Sequence, residues 1–502
     1  MPNTDIIVTT SGGAVRGAIR GAVQSWRGIP YAAPPVADRR FRAPAPVEPW
    51  EGVRDATDFG AVPPQEPGNT QIGAGKKTPM SEDCLTINVS RRSGETSSLR
   101  PVMVWIYGGA YSLGASSSTA YVGSNFVENG DIIFVSFNYR LGALGYLDFT
   151  KYSTPARPFD SNLGLRDQVA ALEWVRDNIA AFGGDPTNVT IFGESAGANA
   201  VTTLMCVPAA RGLFARAIAQ SSAPTSVYST ERTAAWASAF IGILGGADAN
   251  AVDLLTSATP EALVAATSKL TSGMPLEQPG TLSLAPVVDG DFLPMHPVDA
   301  FRNGSAVAVP LIIGTNNREG AFFQKMMKVL PTSKALIDKM FEITDPGAKQ
   351  RVLAAYPEYS KQAVATDIAG DIVFWQPCVL VAERHSAFAP TWMYRFDFTT
   401  RLLELIGLGA THLTEVGLVF GEPHTGMWGA TQLLGGRRGA AIVSKRIHQR
   451  WIDFATDGTV GPDWPPYESA SRKTLIVAEE ERVELDPRGD RRRVWEGYAN
   501  YR

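Results

Sequence analysis

Residues Val189-Thr190-Ile191-Phe192-Gly193-Glu194-Ser195-Ala196-Gly197-Ala198-Asn199-Ala200 decide the fold. Val189–Phe192 is a β-type apolar run of the kind that suits a strand buried on both faces of a parallel sheet. Gly193–Gly197 spells G-x-S-x-G, the signature of a strand-to-helix turn so tight that only small residues fit around its serine. Ala196–Ala200, followed by Val201 and Leu204, can open a helix. As letters alone the match is weak, because 48 glycines in 502 residues would produce on the order of a quarter of such a hit by chance. The strand-turn-helix setting gives it weight, and it predicts Ser195 as a nucleophile.

Outward from this stretch, apolar β-type runs recur at Val102–Tyr107, Ile132–Asn138, Leu311–Ile313 and Trp392–Phe398, with helical stretches between them. The segment 166–182 carries Val169, Leu172, Val175 and Ile179 at helical spacing and stops at Gly183-Gly184, which predicts a helix packed on the sheet. Val443, Ile447, Trp451 and Phe454 mark a second helix. Alternation of this kind means an α/β fold with a large, mostly parallel sheet flanked by helices. The segments 223–281 and 326–389 read as helical elaborations capping the sheet. Before the alternation begins, residues 5–29 read as small antiparallel hairpins, and a Pro-rich loop occupies 30–49.

The composition narrows the function classes. With 46 Lys and Arg against 50 Asp and Glu, the formal net charge of −4 speaks against a partner such as nucleic acid or an anionic membrane. At 44% hydrophobic and 19% charged residues the chain can fill a large core, so disorder is excluded. Length alone allows about three domains. No run approaches the 18 or so uncharged apolar residues of a membrane span, and Met1–Thr10 contains Asp5 and no apolar signal core. Cys84, Cys206 and Cys378 are too widely spaced for a zinc site or a disulfide framework. The expectation is a soluble, cytoplasmic protein without a metal or other cofactor.

A serine nucleophile needs a base, and the base needs an acid that fixes its tautomer; on this fold they follow in the order Ser, acid, His. Glu319 is the favoured acid, because it lies in the polar loop Gly314–Gly320 directly after Leu311–Ile313. Asp289, in an Asp-Gly turn, and Asp397, within a strand-like run, read as structural. Five histidines are available. With Glu319 as the acid, His296 comes too early, and His385 and His448 sit in charged helical stretches and read as solvated. His412, in the Gly-rich loop after the strand-like run Trp392–Phe398, is the favoured base, with His424 as its rival. Gly108-Gly109-Ala110 follows another strand and can present backbone N–H groups to an oxyanion, together with the N–H after the nucleophile, at Ala196.

At these residues the chain resembles the type-B carboxylesterases, the α/β-hydrolases that include bacterial para-nitrobenzyl esterases and cholinesterases. The likeness runs from Gly28-Ile29-Pro30-Tyr31-Ala32 through Ser81-Glu82-Asp83-Cys84-Leu85, Tyr107–Ala110, Asn138–Gly142 and Phe182–Gly197 to Trp464-Pro465. It implies one domain over 1–502 that hydrolyses small-molecule esters through an acyl-enzyme. Ser195 would be the nucleophile, Glu319 the acid and His412 the base. Gly109, Ala110 and Ala196 would form the oxyanion hole, with Glu194 and Ser221 in support. Arg40 and Glu82 would form a structural ion pair. Phe322 and Phe323 match aromatic pocket positions of the family, and Tyr111, Leu408 and Leu413 are counted with them as substrate-pocket candidates.

The chain also departs from the family pattern. No cysteine precedes Cys84, so the family's N-terminal disulfide cannot form, and the methyl group of Ala110 narrows the acyl side of the oxyanion loop. The same triad could serve carbamates or amides. Non-catalytic cholinesterase-like binding proteins typically lack the serine that is present here.

Three further motifs read as structure or surface. Gly73–Thr78 lacks the glycine and hydroxyl of a phosphate loop. The sequons at Asn88, Asn188 and Asn303 carry no weight without an export signal. Arg491–Arg493 reads as a surface cluster.

Overall fold

The computed structural model describes residues 6–68, 72–94 and 98–500; Met1–Asp5, the start of the stretch read as lacking a signal core, lie outside the described residues. Apolar runs can be buried on both faces only when strands lie side by side with helices above and below. The described residues form such a sheet, of 13 strands. Its N-terminal flank is mainly antiparallel, with Ile6–Thr10, Gly13–Arg20 and Val23–Pro30 paired as hairpins and joined to Thr86–Arg92, and the short Val53–Asp55 lying parallel to Gly13–Arg20. Seven neighbouring strands then run parallel, in the spatial order Ile133–Phe137, Arg100–Ile106, Gly184–Glu194, Arg216–Gln220, Leu311–Asn316, Thr391–Phe396 and Lys473–Val477. Antiparallel Arg482–Leu485 forms the far edge.

The five apolar runs read from the sequence all lie in the parallel block. Arg216–Gln220 and Lys473–Val477 are not anticipated, because Ala217-Ile218-Ala219 and Leu475-Ile476-Val477 are short runs that owe their extended form to pairing with neighbours on both sides. The expected helix is Leu163–Asn178, continued by a tighter turn over Ile179–Phe182 and stopped at Gly183, whose φ of 82° leaves the helical region. The C-terminal helix is Arg437–Asp457, with Val443, Ile447, Trp451 and Phe454 all buried. The two capping regions are helical as expected: Thr230–Ile243, Ala251–Ser257 and Pro260–Glu277 in the first, and Lys334–Thr344, Gln362–Gly370 and Gln376–His385 in the second. The last two join through a π-helical turn, Asp371–Trp375, into one helix. That helix is long and apolar enough to cross a membrane by length and composition, but 78% of its most apolar stretch is buried inside the protein.

Topology decides where a site can form. The chain runs from Arg100–Ile106 outward to Ile133–Phe137 and then crosses back over Arg100–Ile106 to Gly184–Glu194. Strand order therefore reverses between Arg100–Ile106 and Gly184–Glu194, and in open α/β sheets the crevice beyond the C-terminal ends at such a point is where ligands bind. Ile106 is paired with Gly193 in register, so Gly108-Gly109 and Ser195 leave the sheet side by side.

Candidate active site

Ser195 stands between strand Gly184–Glu194 and helix Ala196–Leu204 with φ 58° and ψ −125°. A non-glycine residue held there costs about 1–3 kcal/mol and persists only where its surroundings enforce it. The enforcement is visible: the Ser195 N–H donates to the Gln220 carbonyl at 2.9 Å, and the Ser195 carbonyl accepts from the Asn199 N–H at 2.9 Å. A β-carbon at Gly197 would lie 2.0 Å from the Ile106 carbonyl oxygen, which is why the turn needs glycine there. The strained turn leaves Ser195 half-buried just beyond the end of its strand.

Glu319 follows strand Leu311–Asn316 and is buried. Its Oε1 accepts from the Ser221 hydroxyl and from the Asn316 N–H, both at 2.6 Å, and its Oε2 lies 2.6 Å from His412 Nδ1. The loops carrying the two residues are stitched together, because Arg318 N–H donates to the Ala410 carbonyl at 2.8 Å and Phe322 N–H to the Thr411 hydroxyl at 2.8 Å. His412 Nε2, the nitrogen facing away from Glu319, is buried and makes no hydrogen bond among the described residues. It lies 3.1 Å from Glu194 Oε1, outside hydrogen-bond geometry. The predicted glutamate and histidine thus meet, with His412 Nε2 close to the residue that precedes Ser195, and the rivals stay out of this contact. His424 Nδ1 pairs with Gln432 Oε1 at 2.7 Å, Asp289 is held by Ser161 and Asn162, and Asp397 forks onto Arg395.

The electrostatics are those of several carboxylates sharing one dry space. Burial pushes Glu194 well above the usual carboxylate range, offset in part by His412. Burial also raises Glu415 to about 7, with Glu319 adding to the shift. His412 would be lowered by its own burial, but Glu194 and Glu319 outweigh that and lift it to about 9.

Beside Ser195, the loop after strand Arg100–Ile106 turns through three successive positive φ values, 119° at Gly109, 52° at Ala110 and 55° at Tyr111. Neither the Gly109 nor the Ala110 N–H donates to a protein acceptor among the described residues, so both are available to a ligand. A cavity of about 320 Å³ opens beside Ala110; Pro275, Leu282, Leu284, Met327 and Val329 give it apolar walls, and Ser112 adds a hydroxyl.

The pocket candidates are placed differently from one another. Phe323 is buried with its ring 4.8 Å from that of His412, and half-buried Phe322 lies 6.0 Å away. Tyr111 is 2% exposed and stacks on Tyr146 at 3.9 Å, inside the core rather than on the wall of the cavity beside Ala110. Leu413 is buried and Leu408 half-buried, and neither lines that cavity.

Some expectations need correction. His385 and His448 are not solvated: they are buried on the inward faces of their helices, bonded to the Val309 and Val419 carbonyls at 2.8 Å each, and burial lowers both pKa values. Arg491 is not a plain surface charge, since it donates to Asp371 Oδ2 at 3.0 Å. Arg40 and Glu82 do pair, as the resemblance implied, with Nε–Oε2 at 2.8 Å, and Cys84 is a free, buried thiol.

The sequence reading missed two residues at the site. Glu415 is buried and accepts from Asn316 Nδ2 at 2.6 Å; its place three residues after His412 was the available signal. Phe374 lies 4.7 Å from the His412 ring, and no local pattern within its apolar helix singles it out.

Comparison with known proteins agrees with this geometry. The sequence model described as the carboxylesterase family matches residues 4–495. The para-nitrobenzyl esterase of Bacillus subtilis (strain 168) is 37% identical over 494 residues, covering 97% of this chain and 98% of its own. Phenmedipham hydrolase of Pseudarthrobacter oxydans is 32% identical, covering 94% and 95%. Among solved structures, a PNB esterase superposes with a TM-score of 0.87 at 36% identity, covering 98% of this chain and 99% of that one. The Geobacillus stearothermophilus carboxylesterase EST55 gives 0.85 at 34%, covering 98% and 100%. With nearly the full length matched in sequence and in fold, and a buried Glu–His pair beside a strained serine at the sheet's switch point, the chain belongs to the carboxylesterase family and is a carboxylic ester hydrolase of the α/β-hydrolase fold.

Proposed function

We propose that Ser195, His412 and Glu319 hydrolyse carboxylic esters through an acyl-enzyme. The observation that carries this reading is the 2.6 Å contact of Glu319 Oε2 with His412 Nδ1, while the opposite nitrogen, Nε2, makes no hydrogen bond among the described residues and lies 3.1 Å from Glu194, the residue before Ser195. Ser195 Oγ attacks the ester carbonyl carbon while His412 Nε2 takes the hydroxyl proton, and Glu319 holds the tautomer and stabilises the imidazolium. The oxyanion accepts hydrogen bonds from the N–H groups of Gly109, Ala110 and Ala196, each typically worth about 2.7–4 kcal/mol in the transition state. Collapse expels the alcohol, which takes the proton from His412. Water then attacks the acyl-enzyme with His412 again as base, the carboxylic acid leaves, and Ser195 regains its proton.

The substrate is a small ester whose apolar part fits the cavity beside Ala110, with Phe322 and Phe323 as further pocket residues. Glu194 and Ser221 support the triad, the latter by fixing Glu319. The chain acts as one domain over 1–502, since the triad spans residues 195 to 412. Three free, buried thiols fit a reducing, cytoplasmic setting, which cell fractionation checks.

Ser195→Ala is expected to fold normally and to lose at least about a thousandfold in turnover of short-chain p-nitrophenyl esters, together with all labelling by a fluorophosphonate. Wild-type-like turnover by this variant would sink the assignment.

A further inference from the structure

We infer that Arg488 is a positioning residue for the Glu319–His412 pair, its guanidinium tying the loop that carries the acid to the helical turn that packs on the base. The inference rests on the reading of Glu319 and His412 given above. Arg488 precedes the C-terminal helix Gly489–Trp495 and is itself in the left-handed region, with φ 63°. Its side chain is 17% exposed and reaches back across the molecule.

One arm of the fork serves the acid. Arg488 Nη2 donates to the Asn317 carbonyl at 2.5 Å and also to Asn317 Oδ1. Asn317 stands two residues before Glu319, in the turn whose closure places Glu319 Oε1 on the Asn316 N–H. The turn is also tied by Asn317 N–H to the Phe396 carbonyl at 2.9 Å and Arg318 N–H to the Ala410 carbonyl at 2.8 Å, and the Arg318 carbonyl accepts from the Thr411 hydroxyl at 2.9 Å and from the Ala321 N–H at 3.1 Å. Among these ties Arg488 is the one that grips Asn317 by both its carbonyl and its side-chain oxygen.

The other arm serves the base. Arg488 Nη1 donates to Asp371 Oδ1 at 3.0 Å, and the guanidinium lies 5.7 Å over the ring of Trp375. Asp371 and Trp375 are the two ends of the π-helical turn Asp371–Trp375. Within that turn Phe374 lies 4.7 Å from the His412 ring and stacks at 5.4 Å on Phe323, which itself lies 4.8 Å from His412. π-helical turns are rare and occur often at functional sites. Here the turn supplies the wall against which the imidazole rests, while Glu319 fixes its edge. A planar fork can span both partners at once, which a lysine ammonium cannot do.

Arg491 provides an internal control. It donates to the other oxygen of Asp371 at 3.0 Å but has no contact with the Asn317 turn among the described residues. Both arginines therefore stabilise the same buried carboxylate, and Arg488 alone also touches the acid's loop. Small displacements of catalytic groups cost up to about 100-fold in rate, which sets the scale of the expected effect.

The test compares Arg488→Met with Arg491→Met on a p-nitrophenyl ester, with thermal unfolding and the rate of fluorophosphonate labelling measured on the same samples. Arg488→Met is expected to lose about 10- to 100-fold in kcat with KM within about twofold, and to slow labelling in parallel. Arg491→Met is expected to lower the melting temperature while keeping kcat within about threefold. A folded Arg488→Met enzyme with kcat near wild type, or equal kcat losses in the two variants, overturns the inference. Should Arg488→Met not fold, Arg488→Lys decides the question: a kcat loss of about fivefold or more supports the role, and wild-type kcat removes it. Failure of the wild-type protein itself to be labelled would instead refute the triad.

Discussion

His412 carries the strongest single-residue prediction. Its own burial favours the neutral imidazole, yet Glu194 and Glu319 together raise it from the ordinary histidine value to about 9. A general base, the role proposed for His412, must be unprotonated, so activity is expected to be lost as pH falls through that value, and the raised pKa moves the loss to the alkaline side of 6.5. The acid limb of kcat/KM is therefore expected between about 6.5 and 9. Glu194→Gln removes one of the two carboxylates and should move the limb to lower pH; an unmoved limb in a pH–rate series would contradict the coupling. Ser195, Glu319 and His412 were legible in the sequence because each sits in a Gly-rich or polar loop after an apolar run. Glu415 and Phe374 were not, because their relation to His412 arises from chain segments folded together, and His385 and His448 were misread because local charge does not reveal which face of a helix turns inward.

At the scale of elements, close approach decides what the acid's loop can tolerate. Gly320, directly after Glu319, packs under helix Gln362–Gly370, and a β-carbon there would meet the Thr366 carbonyl oxygen at 2.0 Å. Gly320→Ala is expected to destabilise by about 1–3 kcal/mol, the usual range of overpacking, and to lower kcat because the strain falls on the residue next to the acid. Gly242, in helix Thr230–Ile243, has open space around it: a β-carbon there would meet nothing within 4 Å. Gly242→Ala should therefore be neutral or stabilising by up to about 1 kcal/mol. Guanidinium chloride midpoints and ester turnover on the two variants check the contrast. The elbow strand and helix were readable from Val189–Ala200, where local pattern and tertiary role agree. Arg216–Gln220 was hidden, because a three-residue apolar run between Arg216 and Gln220 becomes a strand only through neighbours on both sides.

For the whole molecule, a buried ion pair anchors the crossover that leads from strand Ile133–Phe137 to the elbow strand Gly184–Glu194. Arg140 forks onto Asp167 with Nη2–Oδ1 at 2.6 Å and Nε–Oδ2 at 2.8 Å, and both side chains are almost wholly buried. Asp167→Ala leaves an uncompensated buried guanidinium and should cost about 3–5 kcal/mol. The exposed Arg16–Asp55 pair, with side chains 40% and 57% exposed, should change stability by less than about 1 kcal/mol when Asp55 is replaced by Ala. Denaturant unfolding of the two variants decides between these magnitudes. The sequence by itself determined the α/β class, the tight serine turn and the candidate acid and base, because hydrophobic period and tight-turn chemistry are local properties. Only the tertiary structure decided that Glu319 meets His412 across 93 residues, that Glu194 and Glu415 share their space, and that Phe374 walls the imidazole. Those relations depend on strand order and on which helix faces turn inward, and burial energy settles both over the whole chain at once.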